Sequence, residues 1–535
     1  MGRLRFTREQ RALGVLMRGY RILLANGEGH RIPRLREALT VLSLSSVRGK
    51  VSPLIFGAAM PEAERALRQV VLLRFGSDVL GTSLLRAAAT GVPARVAVPQ
   101  AWRATFAEHG FPVASFAGLR FFLGVCLLFA AGLVEIASQV IAGMRGSAQP
   151  IEGWHVAFLD LSAVNLPRRT ESRDVISWYL QWPGRQPALT AVHHGVPGVP
   201  DTVRDGVRIC RGDGAPPRLE GAAAVIRLLG WAALAVPLCV FDLLRGRWWH
   251  ALMLRDACRA RVLRLQPEAR LAAEYLFGNS AWFLRPLWTY EAEAAGAVVT
   301  MYFYSTNSEG FQVGGSPPPV GFGWAAMNWP RYLVWDEGQA EFVRRAVGAQ
   351  APVEIVGPIW FQDGPAEVPD PPPRAIAAFD VTPYRRWYFE ALALESDYYR
   401  GETATRFLQD LHAAASSLDA TVVWKQKRRM GPFVHRGYRR ATERLAASPR
   451  MLVVDPEISA ERLIPRVQCA VSLPFTSTAL IARAHGVPSC YYDPLGELEV
   501  NDPAAHGVPI VRGRDELERW LRVALATPSP TRDAS

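Results

Sequence analysis

Short apolar runs alternate with amphipathic segments over most of the chain. Runs of about four to eight residues rich in β-branched and aromatic side chains indicate buried strands, whereas apolar residues spaced by three or four positions indicate helices. This alternation is typical of parallel sheets with crossover helices. The first 360 residues contain predicted strands at 70–74, 154–160, 188–193, 297–304, 332–335 and 353–356, and a predicted helix at 268–276.

A proline-rich stretch at 361–374 can sustain neither a helix nor a strand ladder, and we interpret it as a linker. Beyond it the same alternation predicts a doubly wound domain of about 150 residues. Its predicted strands are 375–381, 421–425, 451–454, 469–473 and 489–492, and its predicted helices are 402–418, 435–447, 460–467, 477–485 and 514–526.

The predicted fold class is therefore α/β, with two Rossmann-like doubly wound domains that face a cleft. Open parallel sheets bind ligands beyond the carboxyl ends of their strands, so the site is expected between the two domains. The predicted divisions are a basic amphipathic segment at 1–60, a first domain at 61–360 with helical insertions at about 116–145 and 222–250, the linker at 361–374, a second domain at 375–526 and a tail at 527–535.

Two apolar segments without a charge, 121–134 and 228–241, bear on membrane contact. Each is shorter than the roughly 18–20 residues that cross a bilayer. If both crossed, the predicted strands between them would be separated from their sheet. We therefore expect a cytoplasmic protein that is peripherally associated with the inner membrane. Buried core helices and a spanning hairpin are the alternatives.

Charge supports a lipid surface more than a nucleic acid. The chain has 61 basic and 49 acidic residues, and residues 1–50 alone contain eleven basic and three acidic ones. Because that short segment also has many leucines, it is typical of an element that lies on anionic lipid. A solvated basic helix is the alternative. No nucleic-acid partner is predicted.

Several motifs that would define other classes of protein are missing from the sequence. The six cysteines are scattered without zinc spacing, which indicates a reducing compartment, and no secretory signal opens the chain. There is no P-loop, no GxGxxG after a strand, no HExxH and no Asp-x-Asp pair. We therefore predict neither a resident cofactor nor a metal site.

One run, SLPFTSTAL, joins a predicted strand to a predicted helix whose opening is rich in hydroxyl groups. Free backbone N–H groups at a helix start bind phosphate, and neighbouring hydroxyls add to such a site. Capping of a structural helix is the alternative. The candidate phosphate-binding residues in this run are Ser472, Pro474, Phe475, Thr476, Ser477 and Thr478.

Lysine is rare in this chain, because only three lysines stand against 58 arginines. Two of them, Lys425 and Lys427, follow a predicted strand of the second domain. A compact ammonium at that position suits a phosphate, although a basic surface loop is the alternative. Asp380 ends the first strand of the same domain and is expected either to contact a sugar hydroxyl or to cap a turn.

A general base is expected from the first domain. A histidine, or a carboxylate whose pKa is raised by burial, can act near neutral pH. A structural role is the alternative for each candidate. The four candidates near predicted strand ends are Asp160, His194, Glu291 and Glu309.

The run SLPFTSTALIARAHGVPSCYYDP resembles the signature of bacterial polysaccharide biosynthesis proteins that are named for their PFTS motif. The segments RPLWTYEAE, YFYSTN, YLVWDEGQ, VGPIWF and FDVTP resemble the same family, so the likeness covers about residues 260–494. Pro474, Phe475, Thr476 and Ser477 are the motif itself. The resemblance implies a GT-B-like glycosyltransferase of capsule or O-antigen synthesis.

The sequence therefore predicts a metal-independent glycosyltransferase. The second domain would hold a nucleotide-sugar donor linked to CMP, UDP or GDP, and the first would hold a glycan or lipid-linked glycan acceptor. Two other functions remain open at this point. They are a nucleotide-sugar epimerase of the same architecture and a non-catalytic membrane-associated assembly factor.

Overall fold

The computed structural model describes most of the chain. The predicted segment at 1–60, apart from residues 52–56, lies outside the described residues, as do the strand at 70–74 and most of the tail. The described residues are 52–56, 83–84, 86–88, 90–145, 154–167, 174–185, 188–212, 218–267, 270–279, 285–306, 312, 315, 324, 327–359, 366–383, 398, 400–427, 429–431 and 434–527.

Eight strands of the first half form one sheet in the order β3-β4-β2-β1-β5-β6-β7-β8, in which only β3 and β4 pair antiparallel. All residues of β5 and β7 are buried, because helices cover both faces of a parallel sheet. The strands are β1 (Trp154–Phe158), β2 (Leu189–His194), β3 (Thr202–Arg204), β4 (Val207–Arg211), β5 (Glu274–Gly278), β6 (Val298–Tyr302), β7 (Tyr332–Val334) and β8 (Val353–Ile355).

Six parallel strands of the second half form another sheet in the order β11-β10-β9-β12-β13-β14. The chain enters the middle of this sheet at β9 and adds β10 and β11 on one side. It then crosses back and adds β12, β13 and β14 on the other side. This is the doubly wound pattern, so the predicted fold class is confirmed. The strands are β9 (Ala375–Phe379), β10 (Thr421–Lys425), β11 (Met451–Val454), β12 (Cys469–Ser472), β13 (Ser489–Asp493) and β14 (Ile510–Arg512).

Helices connect the strands of both sheets. The described α-helices are α1 (Pro53–Phe56), α2 (Trp102–Glu108), α3 (Ala117–Met144), α4 (Val175–Gln181), α5 (Ala222–Leu244), α6 (Trp249–Arg264), α7 (Trp288–Ala294), α8 (Glu337–Val347), α9 (Gly401–Ser417), α10 (Arg436–Ala446), α11 (Ala460–Leu463), α12 (Thr478–Ala484) and α13 (Gly513–Ala524).

Each sheet has one position where the winding direction reverses. We call the gap between β1 and β5 the first switch point and the gap between β9 and β12 the second switch point. Ligands of open α/β sheets bind beyond the carboxyl ends of the strands at such positions. The two switch points therefore locate the site before any side chain is considered.

The carboxyl edges of the two sheets face each other. The loop after β13 receives hydrogen bonds from the segment after β6, since the backbone N–H of Gln312 donates to Asp502 (2.8 Å) and that of Gly315 donates to Glu499 (2.8 Å). In the same loop, His506 is hydrogen bonded to Asp336, which follows β7. The space between the two edges is therefore a cleft with a switch point on each wall.

The helical insertions are longer than the apolar segments that predict them. α3 has 28 residues and α5 has 23, and both are long and apolar enough to cross a membrane. α3 continues past Glu135, because that carboxylate is paired with Arg255 (3.2 Å) and Arg259 (3.4 Å) of α6. The prediction that these segments are too short to span is therefore wrong.

One predicted element has the wrong type. The helix at 268–276 is replaced by β5, which begins at Glu274. Glu274 is buried in that strand because Tyr179 Oη donates to it (2.6 Å) and Thr300 Oγ1 donates to it (2.5 Å). The predicted strands 421–425 and 451–454 coincide with β10 and β11, and the other strands that we predicted in the described residues are present with ends shifted by at most two residues. The described elements α2, α4, α6, α7, β3, β4 and β14 have no counterpart among the predictions.

Candidate functional site

The second switch point brings the candidate phosphate-binding residues together. Phe379 at the end of β9 is level with Lys425 at the end of β10 and with Ser472 at the end of β12. Asp380 follows Phe379 directly. Lys425, Asp380 and Ser472 therefore lie in one row along the carboxyl edge of the sheet, as the sequence predicts for strand-end residues.

The hydroxyl groups of the PFTS segment form a local network. The hydroxyl of Thr478 lies 2.8 Å from that of Ser472 and 3.1 Å from that of Thr476. Thr476 Oγ1 also donates to the carbonyl of Leu473 (2.9 Å). Ser472 and Thr476 are buried, whereas Ser477 and Thr478 are half-buried. The latter two are therefore the hydroxyls of the motif that a ligand can reach.

A strained turn fixes this segment on the sheet. Phe475 has a backbone φ of 61°, in the left-handed region that few side chains tolerate. Its ring packs edge-on against Tyr491, with 5.7 Å between the centroids. The phenol of Tyr491 in turn donates to the carbonyl of Thr476 (2.9 Å). Phe475 and the buried Pro474 are thus positioning residues of the turn.

The capping role considered for Ser477 is absent from the structure. The side chain of Ser477 makes no cap hydrogen bond, and helix α12 that follows has only seven residues. A helix this short contributes little dipole, so Lys425 is the principal positive group among the described residues of this edge. The predicted helix at 477–485 is one residue too long at each end.

Lys425 is buried and makes no ion pair within the described parts of the chain. Its Nζ is directed to the carbonyls of Gln426 (3.4 Å) and Pro456 (3.3 Å). Burial lowers the pKa of Lys425 to about 8, against the opposing charge of Asp380. Lys427 is exposed two residues beyond the strand. The buried ammonium therefore has no direct ion-pair partner in the described parts of the chain, and a phosphate would supply one.

Asp380 is buried at the same edge. The phenol of Tyr438 donates a hydrogen bond to its Oδ2, and the side chain of Trp424 also acts on this carboxyl group as a hydrogen-bond donor that lowers its pKa. Among the described residues no group reaches the buried Oδ1 with full hydrogen-bond geometry. Burial raises the pKa of Asp380 to about 6, although the bond from Tyr438 opposes this shift.

Asp160 occupies the first switch point. It follows β1, and its Oδ2 accepts a hydrogen bond from the backbone N–H of Gly278 (2.8 Å) at the end of β5. Its Oδ1 accepts from Tyr302 Oη (3.1 Å) at the end of β6. Burial raises the pKa of Asp160 to about 6, against these two bonds. A carboxylate with this pKa on a cleft wall has the properties of a general base.

Gly278 and Tyr302 are functional candidates that the sequence analysis missed. A Cβ at position 278 would lie 2.1 Å from Asp160 Oδ2, so only glycine permits the hydrogen bond. The signal in the sequence is Gly278 itself, which directly follows four large residues, 274–277, at the end of an apolar run. Because we predicted a helix there, that signal was not used.

The two other base candidates that the structure describes, His194 and Glu291, make no hydrogen bond or ion pair with Asp160. His194 ends β2, and its Nδ1 accepts a hydrogen bond from the backbone N–H of Val196 (3.2 Å), while its buried Nε2 has no hydrogen-bond partner among the described residues. Burial lowers the pKa of His194. Glu291 lies on α7 and is held by both guanidinium nitrogens of Arg264 (2.8 and 2.5 Å). Glu309 lies outside the described residues.

The fold and the site define a class of two-sheet α/β proteins with a cleft between the two carboxyl edges. Residues 232–521 match the family described as Polysaccharide biosynthesis PFTS motif protein. The chain therefore belongs to that family, as its motif predicts. None of the curated proteins matches this chain.

Several solved structures are similar to the chain at low identity. A UDP-GlcNAc 2-epimerase from Methanocaldococcus jannaschii is 7% identical, with a TM-score of 0.33, over 71% of this chain and 93% of its own. The calicheamicin glycosyltransferase CalG4 is 11% identical, with a TM-score of 0.32, over 70% and 91%. The glycosyltransferase SnogD from Streptomyces nogalater is 16% identical, with a TM-score of 0.33, over 70% and 93%.

Proposed function

We propose that this protein is a glycosyltransferase that transfers a sugar from a nucleotide-activated donor to a growing surface polysaccharide such as a capsule or O-antigen. The observation that carries the proposal is that two switch points face one cleft. Asp160 stands at one of them, and Lys425 stands beside the PFTS segment at the other. Membership of a polysaccharide biosynthesis family supports the same function.

The donor binds at the second switch point. Its phosphate pairs with the ammonium of Lys425 and accepts hydrogen bonds from the half-buried hydroxyls of Ser477 and Thr478. Asp380 accepts a ribose hydroxyl through Oδ1, which no described residue meets with full hydrogen-bond geometry. Lys425 is the proposed phosphate ligand because its ammonium is buried and makes no ion pair in the described parts of the chain. A charge held at low dielectric interacts strongly with an anion.

Transfer is a displacement at the anomeric carbon. The acceptor hydroxyl forms a bond to that carbon, the bond from carbon to phosphate oxygen breaks, and the nucleotide leaves with the electron pair. Asp160 takes the proton of the acceptor hydroxyl, while Lys425 stabilises the charge that develops on the leaving phosphate. Because Lys425 supplies this stabilisation, we propose that the reaction proceeds without a resident metal.

We further propose that the protein associates with the cytoplasmic face of the inner membrane through α3 and α5. One face of α3 exposes Leu119, Phe122, Leu123, Leu127 and Val134, and the other packs on α6. A patch of this kind suits a lipid surface.

A peripheral arrangement is favoured over a spanning hairpin by the pairing of β1 with β5. Since β1 follows α3 and β5 follows α6, a crossing by α3 and α5 would require α6 to cross as well. Helix α6 has only 16 residues and contains Arg255, Asp256, Arg259, Arg261 and Arg264. Such a helix does not cross hydrocarbon.

A donor screen tests the enzymatic proposal. The purified full-length chain is incubated with CMP-, UDP- or GDP-linked sugars and a lipid-linked glycan, and the acceptor is analysed by mass spectrometry. We expect one donor to add one sugar residue. Turnover of a nucleotide sugar without acceptor would instead identify an epimerase. Absence of binding to all donors would identify a non-catalytic assembly factor, and either result overturns the proposal.

A further inference from the structure

A cavity of about 400 Å³ lies away from the two switch points, among the helices of the first half. It is bounded by α1, α5, α6 and α7. Helix α1 is fixed as one wall because Trp231 Nε1 donates to the carbonyl of Leu54 (2.9 Å), and the backbone N–H of Ser52 donates to His250 Nε2 (3.0 Å). The cavity is therefore a built feature of the helical insertion.

One side of the cavity is strongly cationic. Arg227, Arg261 and Arg264 line it together with a single carboxylate, Glu291. That carboxylate is already bound by Arg264 through two hydrogen bonds. Among the residues that the structure describes, Arg227 and Arg261 have no ion-pair partner, and the Nε of Arg261 is buried without a hydrogen bond. Glu291 lies near enough to Arg261 to act on its charge, but it is paired with Arg264, so Arg227 and Arg261 have no ion-pair partner among the described residues.

The environment of Arg261 makes an anion favourable there. Burial, with the nearby charges of Arg264 and Arg227, lowers the pKa of Arg261 against the opposing charge of Glu291. An anion within the cavity would offset the repulsion between Arg261 and the two neighbouring arginines, and it would replace the water that Arg261 loses on burial. A planar guanidinium binds phosphate through two parallel hydrogen bonds, so phosphate esters are the chemistry that this pair fits.

The opposite side of the cavity is apolar and reaches the surface. Leu54 and Leu234 line it and are 58% and 61% exposed, and Trp231 is buried between the helices. Leu234 belongs to α5, which also exposes the apolar side chains of Ile226 and Leu229. A ligand that reaches the arginines therefore passes along exposed hydrocarbon.

We propose that this cavity binds the phosphate group of a lipid, with the phosphate on Arg227 and Arg261 and the apolar chain along Leu54, Trp231 and Leu234. Two sources share this chemistry, namely a phospholipid of the bilayer and a polyprenyl phosphate that anchors a glycan. The polyprenyl phosphate rests on the proposed function and extends it, because it would make the acceptor a lipid-linked glycan.

The test measures binding of three probes to the full-length protein in a non-ionic detergent. The probes are farnesyl phosphate, farnesol and dioctanoyl phosphatidylglycerol. We expect farnesyl phosphate to bind at least tenfold more tightly than farnesol. Arg227→Gln and Arg261→Gln should each weaken it at least tenfold, whereas Arg261→Lys should retain part of the affinity. Competition by phosphatidylglycerol at similar concentration identifies the bilayer source, and no competition identifies the polyprenyl source.

Arg255→Gln is the matched control, since it removes the same charge from α6 at a residue that pairs with Glu135 outside the cavity. Equal binding of farnesyl phosphate and farnesol would overturn the proposal, as would unchanged affinity in both glutamine variants. Arg227 is exposed, so its variant is expected to fold even if the Arg261 variant does not. Nucleotide affinity is measured on the same samples, which separates failure here from failure of the proposed function.

Discussion

The imidazole of His506 is hydrogen bonded through Nδ1 to the carboxylate of Asp336, which joins the two walls of the cleft. His506 lies in the loop after β13, and Asp336 caps the N-terminus of α8 after β7. Burial alone would raise the pKa of Asp336, but the hydrogen bond and charge of His506 lower it. The contact sets the distance between the carboxyl edges at which donor and acceptor would meet.

Loss of this contact is expected to open the cleft. His506→Ala and Asp336→Asn should each lower kcat, because the base and the donor are then less well aligned, while nucleotide affinity stays unchanged. A double-mutant cycle on thermal unfolding should give a coupling on the order of 1 kcal/mol. Small-angle scattering measures the opening. If the radius of gyration were unchanged and the two variants' effects on the unfolding free energy were additive, this contact would not hold the cleft closed.

Nucleotide affinity should depend on pH through Lys425. Its pKa is about 8 in the free protein, and a bound phosphate raises it, so affinity is constant below pH 8 and falls as the pH rises above 8. Titration calorimetry from pH 6.5 to 9.5 measures this. Lys425→Arg should remove the pH dependence, because a guanidinium stays protonated. If the affinity of the Lys425→Arg variant fell with pH above 8 as in the wild type, the titrating group would be another residue.

The same lysine is expected to destabilise the fold. Its folded-state pKa lies below its unfolded value, so the folded chain binds fewer protons and stability rises as the pH increases from about 8 to 10.5. A difference of about 2.5 units corresponds to about 3 kcal/mol at neutral pH. Lys425→Met should therefore raise the melting temperature while abolishing nucleotide binding. A lower melting temperature would contradict this account.

Much of the site follows from the order of residues along the chain. The strand-end positions of Asp160, Asp380 and Lys425 are predictable because each stands at the end of an apolar run, and the carboxyl ends of strands are where an α/β sheet binds ligands. Which of these strand ends lie next to each other in the sheet is not predictable in the same way. The row from Lys425 through Phe379 to Ser472 depends on β9 lying between β10 and β12, which local patterns do not encode.

The elements that the pattern missed depend on partners far away in sequence. Glu274 within β5 interrupts an apolar run, and it is tolerated because its partners Tyr179 and Thr300 come from another helix and strand. Likewise Glu135, which we took as the limit of a short apolar segment, is internal to α3 because α6 neutralises it. A window along the sequence contains none of these partners.

Activity should depend on Asp160 in its ionised form. Because its pKa is about 6, kcat/KM is expected to fall tenfold per unit as the pH decreases below 6. Asp160→Asn should lower kcat by about 10²- to 10⁴-fold, the usual contribution of a general base. Nucleotide affinity should be unaffected. Retention of full activity by this variant would transfer the role to another residue, with His194 the next to test.

Gly278→Ala tests the positioning of that carboxylate. The added methyl would meet Asp160 Oδ2 at 2.1 Å and displace it, so kcat should fall while nucleotide affinity is kept. Gly195→Ala is the matched control, because it follows β2 of the same sheet and no atom lies within 4 Å of its added Cβ. Equal activity of the two variants would show that Asp160 need not be held in this position.

Membrane association should depend on the exposed face of α3. Leu123→Glu with Leu127→Glu places two charges on that face and should keep the protein from floating with vesicles of phosphatidylethanolamine and phosphatidylglycerol, because charged groups do not enter hydrocarbon. Val203→Glu with Val523→Glu is the matched control, since both residues are equally exposed elsewhere. Flotation of the α3 variant like the wild type would contradict association through this helix.

The topology of the same association is tested in cells. Asp205 lies exposed in the turn between β3 and β4, within the segment that a spanning hairpin would export. A peripheral protein keeps this turn in the cytoplasm, so Asp205→Cys should resist a membrane-impermeant maleimide until the cells are lysed. Because β1 and β5 share one sheet, export of the turn would require the whole first sheet to lie beyond the membrane. Labelling in intact cells would therefore replace the peripheral arrangement with a spanning one.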